Sequence, residues 1–222
     1  MAKKFKNNLT ATRWLAVILV LLTPIAIVVT IAAFSAFIIF QNDELKGKAS
    51  DWLEQAGAPV ELSIPDEYIP IYKAAEAEYG VSWTLLAAHH RVETRFSTME
   101  TLISPVGAEG HMQFMPCTFV GWSHPTCDGL GEGNIPEAEL TDPEVIAVYG
   151  GYGVDANGDG IADPFDIEDA VFSAANYLAG NGAADGELER AIFTYNRSDE
   201  YVEDVLFFYN QYEEENQAAL GQ

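Results

Sequence analysis

Hydrophobic and polar positions divide the chain into one long apolar run followed by a series of amphipathic segments. From Trp14 to Phe40 there is no Asp, Glu, Lys, Arg, Asn or Gln. A helix needs about 20 such residues to cross a bilayer, so this run can span one with some tilt. Pro24 lies within it, and lipid-embedded helices tolerate proline where neighbouring groups re-satisfy the freed carbonyl. A cleaved signal peptide would have a shorter apolar region, roughly 7 to 15 residues, followed by a small-residue cleavage site, so an uncleaved anchor is the expectation. Residues 41–62 read as a polar stalk with a short helix ending at Gly57 and Pro59. Helix-forming residues then run over 66–79 and stop at Gly80, and Ser82 is placed to cap WTLLAAHHRVET. Asp166 caps IEDAVFSAANYLAG, where Ile167, Val171, Ala174 and Leu178 share a face and Gly180 supplies the stop. Ser198 caps DEYVEDVLFFYNQY, with Tyr201, Val205, Phe208 and Tyr212 at helical spacing. Little alternates with period two, so the expected fold is mainly α, with long loops over 97–165.

Charge sharpens this picture through its placement. Four of the 11 basic residues, Lys3, Lys4, Lys6 and Arg13, precede the apolar run, and all 34 acidic residues follow it. Basic residues ahead of a span hold the N-terminus in the cytoplasm, which puts residues 41–222 outside. An exported part so acidic would repel phosphate backbones, which argues against nucleic-acid binding. Cys117 and Cys127 both lie on that side; a short-loop disulfide or two buried thiols are the open readings.

One carboxylate stands out. On a helix over 83–94, with Leu85 at zero and 100° per residue, Leu86 falls at about 100° and Glu93 at about 80°, whereas Arg91 points elsewhere, at about 240°. Glu93 therefore sits in the apolar stripe, where desolvation disfavours its ionised form and suits it to general-acid work. A buried Glu satisfied by hydrogen bonds, by Arg95 or by a histidine is the alternative. His89 and Glu93, one turn apart, lack the second histidine and third ligand of the helical zinc motif. Packing, or a hydrogen bond to Glu93, is the default role for His89 and His90.

Glu93-Thr94-Arg95-Phe96, then SPVGAEGHMQFMP over 104–116, then Phe193-Thr194-Tyr195-Asn196 follow one another along the chain. In that order and spacing they resemble the soluble lytic transglycosylase (SLT) catalytic domain, of goose-type lysozyme fold. The likeness covers roughly 66–212. It departs from the family at Thr94, where a serine is usual, and at Glu109 and His111, where small or apolar residues are common. Carried over by position, the resemblance implies that Glu93 is the catalytic acid and then base, and that Ser104 partners Glu93 or the reacting sugar. It implies further that Gly110, Met112, Gln113 and Phe114 line the groove, that Tyr195 approaches Glu93 across the cleft, and that Asn196 helps fix it. Family enzymes cleave the β-1,4 bond between N-acetylmuramic acid and N-acetylglucosamine without adding water, leaving 1,6-anhydromuramyl ends. That chemistry needs one carboxyl group where most glycosidases need two. A hydrolytic muramidase and a non-catalytic wall-binding or scaffolding module are the alternatives.

Residues 155–166, DANGDGIADPFD, follow the EF-hand pattern, with oxygen donors at Asp155, Asn157, Asp159, the Ile161 carbonyl and Asp163, and Asp166 closing the loop where glutamate is usual. Some membrane-bound lytic transglycosylases have a similar loop before a helix. The expected cofactor is structural Ca2+, none being needed for catalysis; a turn-rich loop that binds nothing is the alternative. The expected layout is a cytoplasmic tail over 1–13, an anchor over 14–40, a stalk over 41–62, a catalytic domain over 63–212 and an acidic tail over 213–222. The expected partners are peptidoglycan strands, the membrane through 14–40, and a conjugative secretion or cell-division complex. The expected location is the cell membrane of a Gram-positive bacterium.

Overall fold

The computed structural model describes residues 63–220. The tail, anchor and stalk expected over 1–62 lie outside the described residues. Among the described residues no helix is long and apolar enough to cross a membrane. The described part is mainly α: it contains no strand, only the isolated bridges Ile103 to Glu109 and Glu109 to Phe114.

Helix α1 spans Ile69–Tyr79 and buries Tyr72 and Ala75. It ends as expected at Gly80, whose φ of 71° is left-handed. Helix α2, Trp83–Thr94, buries every residue from Thr84 to His90. A helix covered all round must lie at the centre of its domain, and α2 packs against α1 and against the helices over Ile167–Gly180 and Asp199–Leu220. Leu85 and Leu86 are fully buried, a contribution of about 1.5 to 3 kcal/mol each. Arg91, half-buried, lays its guanidinium 4.4 Å from the centroid of the Phe208 ring. Ser82 occupies the N-cap position but makes no side-chain cap bond. Its hydroxyl pairs instead with Thr84 and Glu213, and Thr84 also donates to Glu213.

The region expected as long loops contains three short helices, α3 (Pro116–Val120), α4 (Glu137–Leu140) and α5 (Pro143–Tyr149). Cys117 and Cys127 are joined in a disulfide with Cα atoms 5.6 Å apart, which closes a loop worth about 2 to 3 kcal/mol in the chain-entropy account. Helix α6, Ile167–Gly180, begins on the Asp166 carboxylate, which accepts from the N–H groups of Glu168 and Asp169. It buries Val171, Ala174 and Leu178, with Ile167 half-buried. Gly180 remains helical, and the C-cap is Asn181.

A 3-10 turn at Ala183–Asp185 leads to α7, Leu188–Tyr195, and α8, Asp199–Leu220. Tyr201, Val205, Phe208 and Tyr212 form the buried stripe of α8. The segment expected as an acidic tail continues this helix to Leu220, and its Glu213 is the partner of Ser82 and Thr84.

Candidate active site

Glu93 lies in the last turn of α2 and is only partly exposed. Burial pushes its carboxyl up to about 8, although the hydrogen bond from Tyr201 acts in the opposite direction. Tyr201, in the first turn of α8, donates to Glu93 Oε1 at 2.5 Å. The same hydroxyl lies 2.9 Å from Nδ1 of His89. A phenol from α8 thus holds Glu93.

Past Glu93 the backbone is strained. Arg95, Phe96 and Ser97 have φ of 52°, 57° and 63°, and Gln113 has 50°. Left-handed φ at non-glycine residues costs energy and persists only where surroundings impose it. Arg95 is the C-cap of α2, and at Ser97 a chain of side-chain hydrogen bonds supplies the constraint. Tyr72 and Nδ1 of His90 are 2.6 Å apart, Nε2 of His90 and Ser97 2.6 Å, Ser97 and Nδ1 of His111 2.5 Å, and Nε2 of His111 and the Phe165 carbonyl 2.8 Å. Because a carbonyl only accepts, His111 donates through Nε2. One assignment then satisfies every atom: Tyr72 donates to His90, His90 to Ser97, Ser97 to His111, and His111 to Phe165. His111 therefore ties the turn after α2 to the end of the 155–166 loop. Gly110 beside it admits no side chain: a Cβ there would lie 1.9 Å from the Pro164 carbonyl oxygen.

The other expected site residues fall into two groups. Gln113, Phe114 and Tyr195 line one cleft together with Met115, Thr118 and Tyr177. The Tyr195 ring lies parallel to that of Tyr201, centroids 6.5 Å apart, and so links this cleft to the phenol that holds Glu93. Its hydroxyl donates to the Met112 carbonyl at 2.7 Å, which leaves Tyr201 to hold Glu93. Gln113 donates its amide to the carbonyls of Leu102 and Gly110, bracing the loop.

The second group serves the scaffold. The Met112 side chain is fully buried, a core residue whose backbone alone supports Tyr195. The Ser104 hydroxyl accepts from the Ala108 N–H and closes its own turn. Asn196 is exposed as the C-cap of α7, where its N–H donates to the Ile192 carbonyl. Glu109 lines a separate groove with Glu132, Asn134 and Ile135, and burial raises its pKa.

In the 155–166 loop the carboxylates face backbone amides. Asp155 accepts from Gly158, Asp159 and Gly160; Asn157 accepts from Asp159, Asp159 from Ile161, and Asp163 from Phe165. Asp166, expected to close the loop, is engaged as the cap of α6. Asp169, one turn into α6 and buried, reaches back instead, accepting from Ala156, Asn157 and Asp163. Among the described residues no group of three or more His, Cys, Asp or Glu side chains is placed to hold a metal. The donors are nonetheless all oxygen, from short acidic and amide side chains on one tight loop, a chemistry that fits a hard divalent cation.

Sequence reasoning missed Tyr201 and Asp169. Tyr201 was legible as a core position, and its polar tip on an apolar stripe was the available signal. Asp169 carried none beyond its place in an acidic first turn. No family model, curated protein or solved structure matches the chain.

Proposed function

We propose that this protein is a membrane-anchored peptidoglycan lytic transglycosylase of lysozyme-like fold, with Glu93 as its acid and then its base. The observation that carries the reading is Glu93 itself, a partly exposed carboxyl whose pKa burial raises to about 8, with Tyr201 on one oxygen and Tyr195, a residue of the aromatic cleft, stacked on Tyr201. The likeness of three motifs to the SLT domain supports the same assignment. In this reading Glu93 gives its proton to the glycosidic oxygen as the bond to C1 breaks. The C6 hydroxyl of the same muramyl unit forms a bond to C1 and returns its proton to Glu93, so no water is consumed. Tyr177 and Tyr195, packed over the buried Phe114, offer apolar faces against sugar rings, with Gln113 and Thr118 as polar contacts.

The apolar run over 14–40 supports anchoring at the membrane with the catalytic domain outside. In the proposal Ca2+ is held by Asp155, Asn157, Asp159 and the Ile161 carbonyl, with Asp169 in place of Asp166. Its role is to fix the loop on α6, and no chemical step passes through it.

The test is mass spectrometry of fragments released from purified peptidoglycan by the full chain in detergent with calcium, beside Glu93→Gln. Anhydromuramyl ends are expected, lost by roughly 10²-fold or more in the variant. Reducing ends would instead identify a muramidase with a second carboxylate, and intact sugar binding with no cleavage would identify a scaffolding module.

A further inference from the structure

His89 is fully buried, one helical turn before Glu93 on the same helix, and the Tyr201 hydroxyl lies between them. That hydroxyl has a single hydrogen, and its 2.5 Å bond to Glu93 Oε1 uses it. His89 can then join only as a donor, through Nδ1–H to the phenol oxygen. The other ring nitrogen, Nε2, is buried with no hydrogen-bond partner among the described residues. A proton on Nδ1 leaves only a lone pair at that position, whereas the alternative tautomer would bury an unpaired N–H and set Nδ1 in competition with Glu93 for the one phenol hydrogen.

We propose that His89 is a positioning residue for Glu93: its Nδ1–H donates to Tyr201, which commits the phenol hydrogen to Glu93 Oε1 and leaves Oε2 to carry and transfer the proton. The inference rests on the reading of Glu93 as the acid. Burial holds the ring neutral, with a pKa lowered to about 3, so the donor persists across the working pH range. The ring plane is held by Tyr195, centroids 4.9 Å apart. The titratable groups facing Glu93 are thus His89 on its own helix, Tyr195 from α7 and Tyr201 from α8, and burial pushes both phenols well above their ordinary range. A phenol that accepts a hydrogen bond is itself a stronger donor, so His89 also strengthens the contact that favours ionised Glu93.

The experiment uses the full chain in detergent micelles. In the 15N spectrum of the imidazole rings, His89 is expected as the Nδ1–H tautomer, pyrrole-like at Nδ1 and pyridine-like at Nε2; the Nε2–H form would overturn the proposal. In activity, His89→Leu keeps volume and removes the donor. It is expected to lower kcat roughly 10-fold with KM within about twofold, and to move the alkaline limb of the pH profile upward, because a weaker hydrogen bond to the carboxylate raises its pKa. Tyr201→Phe should move that limb further in the same direction. His89→Asn, whose amide nitrogen can occupy the Nδ1 position, should recover most of kcat. Equal loss in the Asn and Leu variants would reduce His89 to packing, and an unchanged profile in His89→Leu would also overturn the proposal. An active Glu93→Gln in the same assay would instead refute the acid assignment beneath it.

Discussion

A carboxyl group held neutral by burial is a functional asset and a stability liability. The pKa of Glu93 is raised in the fold, so between its unfolded value near 4.5 and its folded value of about 8 the native state binds more protons than the unfolded chain. Its contribution is complete below pH 4.5 and is lost as pH rises through 8, at about 1.4 kcal/mol per pH unit. Glu93→Gln removes this titration. The variant is therefore expected to melt higher than the parent at pH 8 and to converge with it near pH 4.5, and a pH-independent difference would show that Glu93 does not titrate as proposed. Glu93 was legible in sequence because helical periodicity alone places its side chain among Leu85 and Leu86. Its partner was not, because which group meets the carboxyl depends on how α8 lies across α2, and periodicity carries no such angle.

Among elements, the instructive case is the junction between the 155–166 loop and α6. The EF-hand pattern points to Asp166 by counting, but a helix start leaves N–H groups without partners, and an Asp at the N-cap satisfies two of them. The next carboxylate on that face, Asp169, is then the one that reaches the loop. Titrating Ca2+ into chelator-treated protein should raise the melting temperature by roughly 5 to 10 °C at 100 times Kd, from about 2.7 kcal/mol of linkage. Asp169→Asn should abolish most of that rise. Asp166→Asn should retain it, since Asn also caps helices. A rise that survives in Asp169→Asn and vanishes in Asp166→Asn would restore the pattern-based assignment. Ser82 teaches the same lesson: local sequence makes it a cap, but Glu213, 131 residues away, takes its hydroxyl.

For the whole molecule, buried histidines set the acid limit as Glu93 sets the alkaline one. His89 and His90 are lowered to about 3 and His111 is lowered too, in each case chiefly by burial. Groups with depressed imidazole pKa values are charged in the unfolded chain first, so their contribution is full above pH 6.5 and is lost as pH falls toward 3. Two such histidines cost about 2.7 kcal/mol per pH unit and outweigh the opposing gain from Glu93. Protonation of His90 or His111 would also require a second donor into a chain whose every acceptor is taken. Thermal melts should therefore peak near pH 6.5 and fall on both sides, and stability still rising between pH 6 and 4.5 would contradict neutral buried histidines.

The sequence by itself determined helices α1, α2, α6 and α8 but not the short helices between or after them, and it also determined the stop at Gly80, the caps at Asp166 and Ser198, and the anomalous position of Glu93. All follow from periodicity, capping and backbone freedom, which act within a few residues. Tertiary structure decided that Tyr201 holds Glu93, that Met112 is core while Tyr195 is a cleft wall, that His90, Ser97 and His111 share one hydrogen-bond chain, and that Asp169 reaches into the loop. Tyr201 and Glu93 are 108 residues apart and Tyr195 and Met112 83, and the nearer contacts of His90, Ser97, His111 and Asp169 each cross a turn or loop, so all of these partners are chosen by how packed elements meet, which no local rule encodes.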